Sequence, residues 1–275
     1  MKINPKLIKE VFRKVESIKI GIDSGSQNTK GALIRGDKLI AKVKIGTKFD
    51  AYNAAEKVYN KLLKNAEIDT DEVDTIVATG TGRDIIKFAN TAVNQVNSAA
   101  IGARFANPNT NLVIDMGAES TRVIRLKEDG KVKKYETNDK CASGSGTFIE
   151  AMARALQIKT EEIGEYSLRH KKEIVTNAQC VVFAESEVIS LIHQQESRED
   201  IAHGILVGIC NRVNSLIRRT GLTDNVTIIG GPGHNAGLVK CLENLISQDV
   251  FVSQDTDYIS AIGAALYESK RKENK

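Results

Sequence analysis

Two short stretches of the chain bring an aspartate and glycines to the end of an apolar run. Ile20-Gly21-Ile22 leads into Asp23-Ser24-Gly25-Ser26-Gln27-Asn28-Thr29-Lys30, and Leu112-Val113-Ile114 leads into Asp115-Met116-Gly117-Ala118-Glu119-Ser120. Such a loop suits phosphate. Gly25 or Gly117 lets the backbone approach closely and turn its N–H groups outward, the Ser26 and Thr29 hydroxyls and Lys30 meet phosphate oxygens, and Asp23 or Asp115 holds hydrated magnesium. A third loop, Gly230-Gly231-Pro232-Gly233-His234-Asn235, follows the apolar run Val226-Thr227-Ile228-Ile229 and suits the adenosine end of a nucleotide, with Gly230, Gly231 and Asn235 as contacts. One glycine-rich turn is a weak signal. Three in this order, each after a buried strand, point to a nucleotide clamp.

The chain has four cysteines, Cys141, Cys180, Cys210 and Cys241, and no Cys-x-x-Cys pair, so it shows no ordinary zinc or ferredoxin spacing. Cys141 stands beside the small-residue loop Ala142-Ser143-Gly144-Ser145-Gly146 that opens a helix, and Cys180 precedes another helical run. A thiolate at a helix start gains from the helix dipole and the free N–H groups. The same two positions also suit buried apolar cysteines, as Cys210 and Cys241 do within their helical patterns. Glu185 and Glu187 interrupt an apolar helix; they read as surface charges, or, for Glu185, as a contact near a magnesium nucleotide. His170, His193 and His203 read as solvated, and His234 sits in the third loop. None shows a partner for a metal or a catalytic triad.

The elements around these residues alternate. Strands are expected at 18–23, 30–35, 38–45 and 75–79, with helices at 54–66 and 95–106. A second cycle has strands at 111–115, 121–127 and 131–135, helices at 146–156, 182–193 and 198–219, a strand at 226–230 and a closing helix at 259–267. Turns fall at Gly36-Asp37 and Asp129-Gly130. Both cycles open with an apolar strand, Asp-x-Gly and a hairpin, a repeat offset by about 90 residues. That predicts an α/β chain of two similar lobes facing a nucleotide cleft. The boundaries read as 17–107 with 255–275 for the first lobe and 108–254 for the second, which carries Cys141 and Cys180. Residues 1–16 form a helical extension.

Among the 275 residues, 39 Lys and Arg are interspersed with 35 Asp and Glu, giving a net charge of +4. The excess is scattered, which speaks against a nucleic-acid surface. No run approaches the ~18 apolar residues of a membrane span. The N-terminus lacks a signal-peptide pattern, so a cytoplasmic, reducing setting is expected.

The strings Asn-Asp-Lys-Cys-Ala-x-Gly-x-Gly-x-Phe (138–148) and Cys-x-x-Phe-Ala-Glu-Ser-Glu-Val-Ile-Ser (180–190) resemble the BadF/BadG/BcrA/BcrD-type ATPases. These are the ATPase components of 2-hydroxyacyl-CoA dehydratases and class I benzoyl-CoA reductases. Loops 23–30, 79–83, 115–120 and 230–235 fall in the same order as in that family. The resemblance spans residues 18 to 268 and implies an actin-like (ribonuclease H-like) fold. It implies ATP and Mg²⁺ as ligands, and one [4Fe–4S] cluster per dimer, held by Cys141 and Cys180 of each chain. Gly144 and Gly146 of the first string count among the cofactor-binding positions, and Glu119 and Glu185 are the catalytic candidates. The second chain of the dimer is the same protein or a related ATPase subunit. Hydrolysis then drives low-potential electrons from a ferredoxin or flavodoxin to a CoA-thioester reductase or dehydratase.

Several positions depart from the pattern. Glu119 stands where an amide is usual, Gln95-Val96-Asn97-Ser98-Ala99 lacks the family's acid and histidine, and Pro232-Gly233-His234 replaces small apolar residues. A small-molecule kinase of the same fold would use the same loops but has no use for Cys141 and Cys180 at helix starts. A nucleotide-sensing subunit would accommodate the change at Glu119.

Overall fold

The computed structural model describes residues 16–138, 145–176 and 180–268. Cys141 and Gly144 lie outside the described residues, as does the expected N-terminal helix but for Glu16. The chain divides into two compact units, one running to Gly102 and resuming at Ser260, the other Ala103–Ile259.

The first unit is built on a five-stranded sheet. Strands β1 (Ile18–Ser24), β2 (Asn28–Arg35) and β3 (Lys38–Gly46) form an antiparallel meander, and β4 (Thr75–Gly80) and β5 (Thr91–Ala92) add in parallel on the other side of β1. β1 is apolar almost throughout because it is central, with both faces covered. Its Ile20 and Ile22 pack with Leu33 of β2 and with Val58 and Leu62 of α1 (Ala51–Ala66). Asp50 caps α1, accepting the Asn53 N–H at 2.9 Å. Helix α2 (Gln95–Ala106) leaves this unit for the other.

The second unit repeats the plan. Strands β6 (Leu112–Met116), β7 (Thr121–Leu126) and β8 (Val132–Asn138) form the antiparallel meander, and β9 (Val226–Ile229) and β10 (Val250–Val252) run parallel beside β6. The β-bulges also correspond, falling at Leu33/Ile34 in one meander and Arg125/Leu126 in the other. Leu112, Ile114 and Met116 pack with Phe148 and Met152 of α3 (Gly146–Ala155). Helices α4 (Ile163–Leu168), α5 (Val181–His193), α6 (Arg198–Thr220) and α7 (Ala236–Ile246) complete this unit, and α8 (Ile259–Ala265) returns to the first. Gly36 and Gly130 turn the two hairpins with φ of 58° and 78°, a region that glycine enters without strain.

Candidate functional site

The two Asp-x-Gly loops share one construction. In the first, Asp23 lies opposite Lys30 across the β1–β2 ladder, and Lys30 Nζ stands 3.4 Å from Asp23 Oδ2. In the second, Asp115 lies opposite Arg122 across β6–β7, and Arg122 Nη1 stands 3.1 Å from Asp115 Oδ2. Each cation follows its carboxylate by seven positions. Both carboxylates are nearly buried, with side-chain exposures of 10% and 9%. The turns match as well: Gly25 N–H donates to Asn28 O at 3.1 Å and Gly117 N–H to Ser120 O at 2.8 Å. Each loop therefore presents a carboxylate and a cation beside a glycine turn, the pairing needed for a magnesium-bound phosphate. Arg122 was the partner that reading the second loop alone missed; aligning the loops puts it where Lys30 stands.

Thr29 corrects one expectation. Its side chain is fully buried, and its hydroxyl meets that of Thr47 at 2.9 Å, while Thr47 Oγ1 donates to Gly25 O at 2.8 Å. Thr29 thus shapes the loop from beneath, whereas Ser26 is exposed at its tip. Gly80, at φ 93°, packs against this loop so closely that a Cβ would lie 2.7 Å from Asp23 Oδ1 and collide with Ser24 O. Gly82 N–H also donates to Ser24 O, at 3.0 Å. The 79–83 loop therefore backs Asp23.

In the third loop, Gly230 has φ 96° and lies against Met116 O, the residue between Asp115 and Gly117, where any Cβ would collide. Its N–H donates to Thr256 O at 2.9 Å. Asn235 Oδ1 accepts the Leu238 N–H at 2.9 Å and so caps α7, which assigns that oxygen to the helix rather than to a ligand. Gly231 and His234 are exposed, and His234 Nε2 stands 3.1 Å from Asp257 Oδ2. An open hollow of 580 Å³ beside this loop is lined by Gly233, His234, Ala236 and Lys240 among others.

The helix that follows the Cys141 segment is tied to the second loop. Gly146 N–H donates to Gly117 O at 3.0 Å, Thr147 N–H to Ala118 O at 2.9 Å, and Thr147 Oγ1 to the same oxygen at 2.8 Å. Cys180 occupies the N-cap position of α5 in an extended conformation and is half-buried. Cys210 is buried, and burial together with a hydrogen bond to Cys241 pushes its thiol well up. Cys210 also faces Leu238 O at 3.7 Å. These two cysteines are occupied with each other inside the unit. Glu119 is exposed in the second loop, and Glu185 is half-buried on α5.

The segment that runs from α4 toward Cys180 is strapped onto α6. Asp200 Oδ1 accepts the N–H groups of Lys171 and Lys172 at 2.7 and 2.9 Å, and Ser197 Oγ donates to Asp200 Oδ2 at 2.6 Å. The Ser197 hydroxyl, then these two N–H groups, hold the Asp200 carboxyl down at about 2. The folded state thus favours the charged form. That stabilisation is complete above the ordinary carboxyl value of ~3.9 and is lost as the pH falls through about 2. Asp200→Asn is therefore expected to lower the urea midpoint at pH 7, with the gap to wild type closing between pH 4 and 2. An equal gap at both ends would contradict the strap.

Against the expectation of solvated positions, His170 and His203 stack on each other with ring centroids 3.4 Å apart and planes at 3°. Both face Glu173. Sequence spacing could not reveal this, because the strap, not a shared helix, brings the rings together.

Duplicated meanders with parallel strands beside the first strand of each, and an Asp-x-Gly turn at that strand's end, define an actin-like ATPase fold. The model of the BadF/BadG/BcrA/BcrD ATPase family matches residues 20–268, and the chain belongs to that family. It is 34% identical over 268 residues to a component of the benzoyl-CoA reductase of Thauera aromatica, covering 94% of this chain and 95% of that one. It is 33% identical to the (R)-2-hydroxyglutaryl-CoA dehydratase activating ATPase of Acidaminococcus fermentans, covering 92% and 97%. The solved activator of 2-hydroxyisocaproyl-CoA dehydratase from Clostridium difficile, with bound ADPNP, superposes with a TM-score of 0.86 at 32% identity, covering 91% and 93%. The chain is thus an ATPase of this family. No helix among the described residues is long and apolar enough to cross a membrane.

Proposed function

We propose that this protein is an ATP-driven electron carrier that serves a CoA-thioester reductase or dehydratase. The observation that carries this reading is the docking of the first turn of α3 on the second loop, through Gly146 and Thr147 to Gly117 O and Ala118 O. That helix opens directly after the Cys141 segment, so a change at the nucleotide loop reaches the cysteine segment through three hydrogen bonds.

Asp23 and Asp115 hold hydrated Mg²⁺. With an ion bound beside these carboxylates, Lys30 and Arg122 would turn their charge toward phosphate oxygens. The exposed Ser26 hydroxyl takes a further phosphate contact, Gly25, Gly117 and Gly230 hold the turns in shape through their own backbone bonds, and Gly231 lies beside the adenosine end. The chemistry is in-line attack by water, helped by positioning and electrostatics. Glu119 and Glu185 order that water. Glu119 is anionic and also repels the phosphate, so hydrolysis by the isolated protein is slow.

Cys180 suits a cluster ligand: it heads a 13-residue helix whose first N–H groups favour a thiolate. With Cys210 and Cys241 paired, Cys180 and Cys141 are the thiolates left to hold a [4Fe–4S] cluster. Such a cluster, when bound, supplies a one-electron donor of tunable potential. It takes four thiolates and one chain offers two, so a second copy completes the set. The α5 helix presents an apolar face for that copy, with Val182, Phe183 and Ile189 exposed by 66%, 70% and 47%. Ferredoxin or flavodoxin supplies the electron, and a cytoplasmic setting keeps the thiols reduced.

The test is the ATP hydrolysis rate of purified protein and of Glu119→Gln. The wild type is expected to turn over slowly with Mg²⁺ and the variant several-fold faster. A wild type with no magnesium-dependent turnover, or a variant no faster, would contradict the role given to this loop.

A further inference from the structure

Outside the nucleotide loops and the cysteines, one cluster of ligand-bearing side chains among the described residues remains unassigned: His170, Glu173 and His203. Their ligand atoms lie within 4.8 Å of one another. His170 Nε2 stands 3.7 Å from Glu173 Oε1, and His203 Nε2 stands 3.3 Å from Glu173 Oε2. The other nitrogen of each ring is anchored on Ser167: His170 Nδ1 meets Ser167 O at 2.8 Å, and His203 Nδ1 meets Ser167 Oγ at 3.3 Å.

The proton positions follow from these partners. A backbone carbonyl only accepts, so His170 Nδ1 carries hydrogen and the neutral ring presents a lone pair at Nε2. That lone pair faces a carboxylate. Two electron-rich atoms pointed at one space are relieved either by protonating the ring or by placing a cation between them. Burial, with His170 alongside, lowers the pKa of His203, which disfavours a second charge on the stacked pair. A histidine whose Nδ1–H is held by a carbonyl while Nε2 is open has the arrangement of a metal-ligating ring, with the oriented tautomer already in place.

We propose that His170, Glu173 and His203 form a binding site for a divalent transition ion of the Zn²⁺ type. Two imidazole nitrogens and one carboxylate oxygen match a three-ligand zinc set with a fourth position for water. A tetrahedral ion with bonds of ~2.0–2.1 Å holds its ligands ~3.3 Å apart, so the cluster must close slightly. The two rings must also splay from their parallel stack so that both lone pairs converge. Glu173, whose side chain is 77% exposed, is free to swing inward.

The consequence is local. His170 and Glu173 sit on the strap and His203 on α6, one turn beyond Asp200. At Gly204 the two come so close that a Cβ would lie 2.5 Å from Ile174 O. An ion there would clasp the strap to α6 at a second point beside Asp200. This proposal does not rest on the ATPase or cluster reading.

The test is calorimetric titration of Zn²⁺ alone into full-length protein carrying Cys141→Ser and Cys180→Ser, which removes those thiolates as competitors. One ion per chain is expected at pH 7.5. Adding His170→Ala or Glu173→Gln should each weaken binding at least tenfold. Glu173 is exposed, so its replacement leaves the fold intact whatever the histidine variant does. Absence of zinc binding, or a smaller effect in either variant, overturns the site.

Discussion

Asp23→Asn protein is expected to bind Mg-ATP at least ~100-fold more weakly than wild type, a loss of about 2.7 kcal/mol. Asparagine keeps the shape of the side chain and an oxygen for Lys30, 3.4 Å away, so the loop itself should stand. What it removes is the anionic charge that, on the proposed reading, holds hydrated magnesium, a hard cation that seeks oxygen ligands and charge. The same substitution at Asp115, beside Arg122, should act in the same direction because the two loops are built alike. Nucleotide binding without magnesium should change little in either variant. Calorimetry with and without Mg²⁺ separates these terms. Undiminished Mg-ATP affinity in Asp23→Asn would remove the carboxylate from the account.

Cys180→Ala is expected to abolish iron binding and to shift the protein toward monomer, and Cys141→Ala should do the same. Cys210→Ala and Cys241→Ala should keep their iron. The reasoning is electrostatic and geometric. Cys180 is half-buried at the N-cap of α5, where helix N–H groups favour a thiolate. Cys210 is buried, and burial with its hydrogen bond to Cys241 pushes its thiol well up. In the proposed two-copy cluster, losing one ligand type removes two of the four thiolates at once. Iron analysis and anaerobic sizing of the four variants read both effects. Full iron in Cys180→Ala, or lost iron in Cys210→Ala, would reassign the ligands.

Much of the architecture was legible because it is written in local patterns. The strands β1 and β6 are unbroken apolar runs, and the Gly36 and Gly130 turns mark both hairpins. The repeat announced itself through Asp23 and Asp115 and extends in the structure to the paired cations, the glycine turns and the β-bulges. Short elements escaped: α4 has six residues and β5 two, too few for a period to register. Thr29 was misread because its loop position says nothing about which face of β2 it takes; the register places its hydroxyl on Thr47. Asn235 was readable as a helix cap, since it stands just before an apolar run and accepts from Leu238. The His170–Glu173–His203 cluster could not be read at all. It depends on Asp200 gathering the Lys171 and Lys172 N–H groups, a tertiary contact with no sequence period.

The central claim is that two copies of this ATPase share one cysteine-held cluster. The most direct measurement is the iron content of wild-type protein, purified without oxygen and sized in the same run. Four irons shared by two chains are expected in a brown dimer, about two per chain. An iron-loaded monomer, or a colourless dimer without iron, would contradict the account.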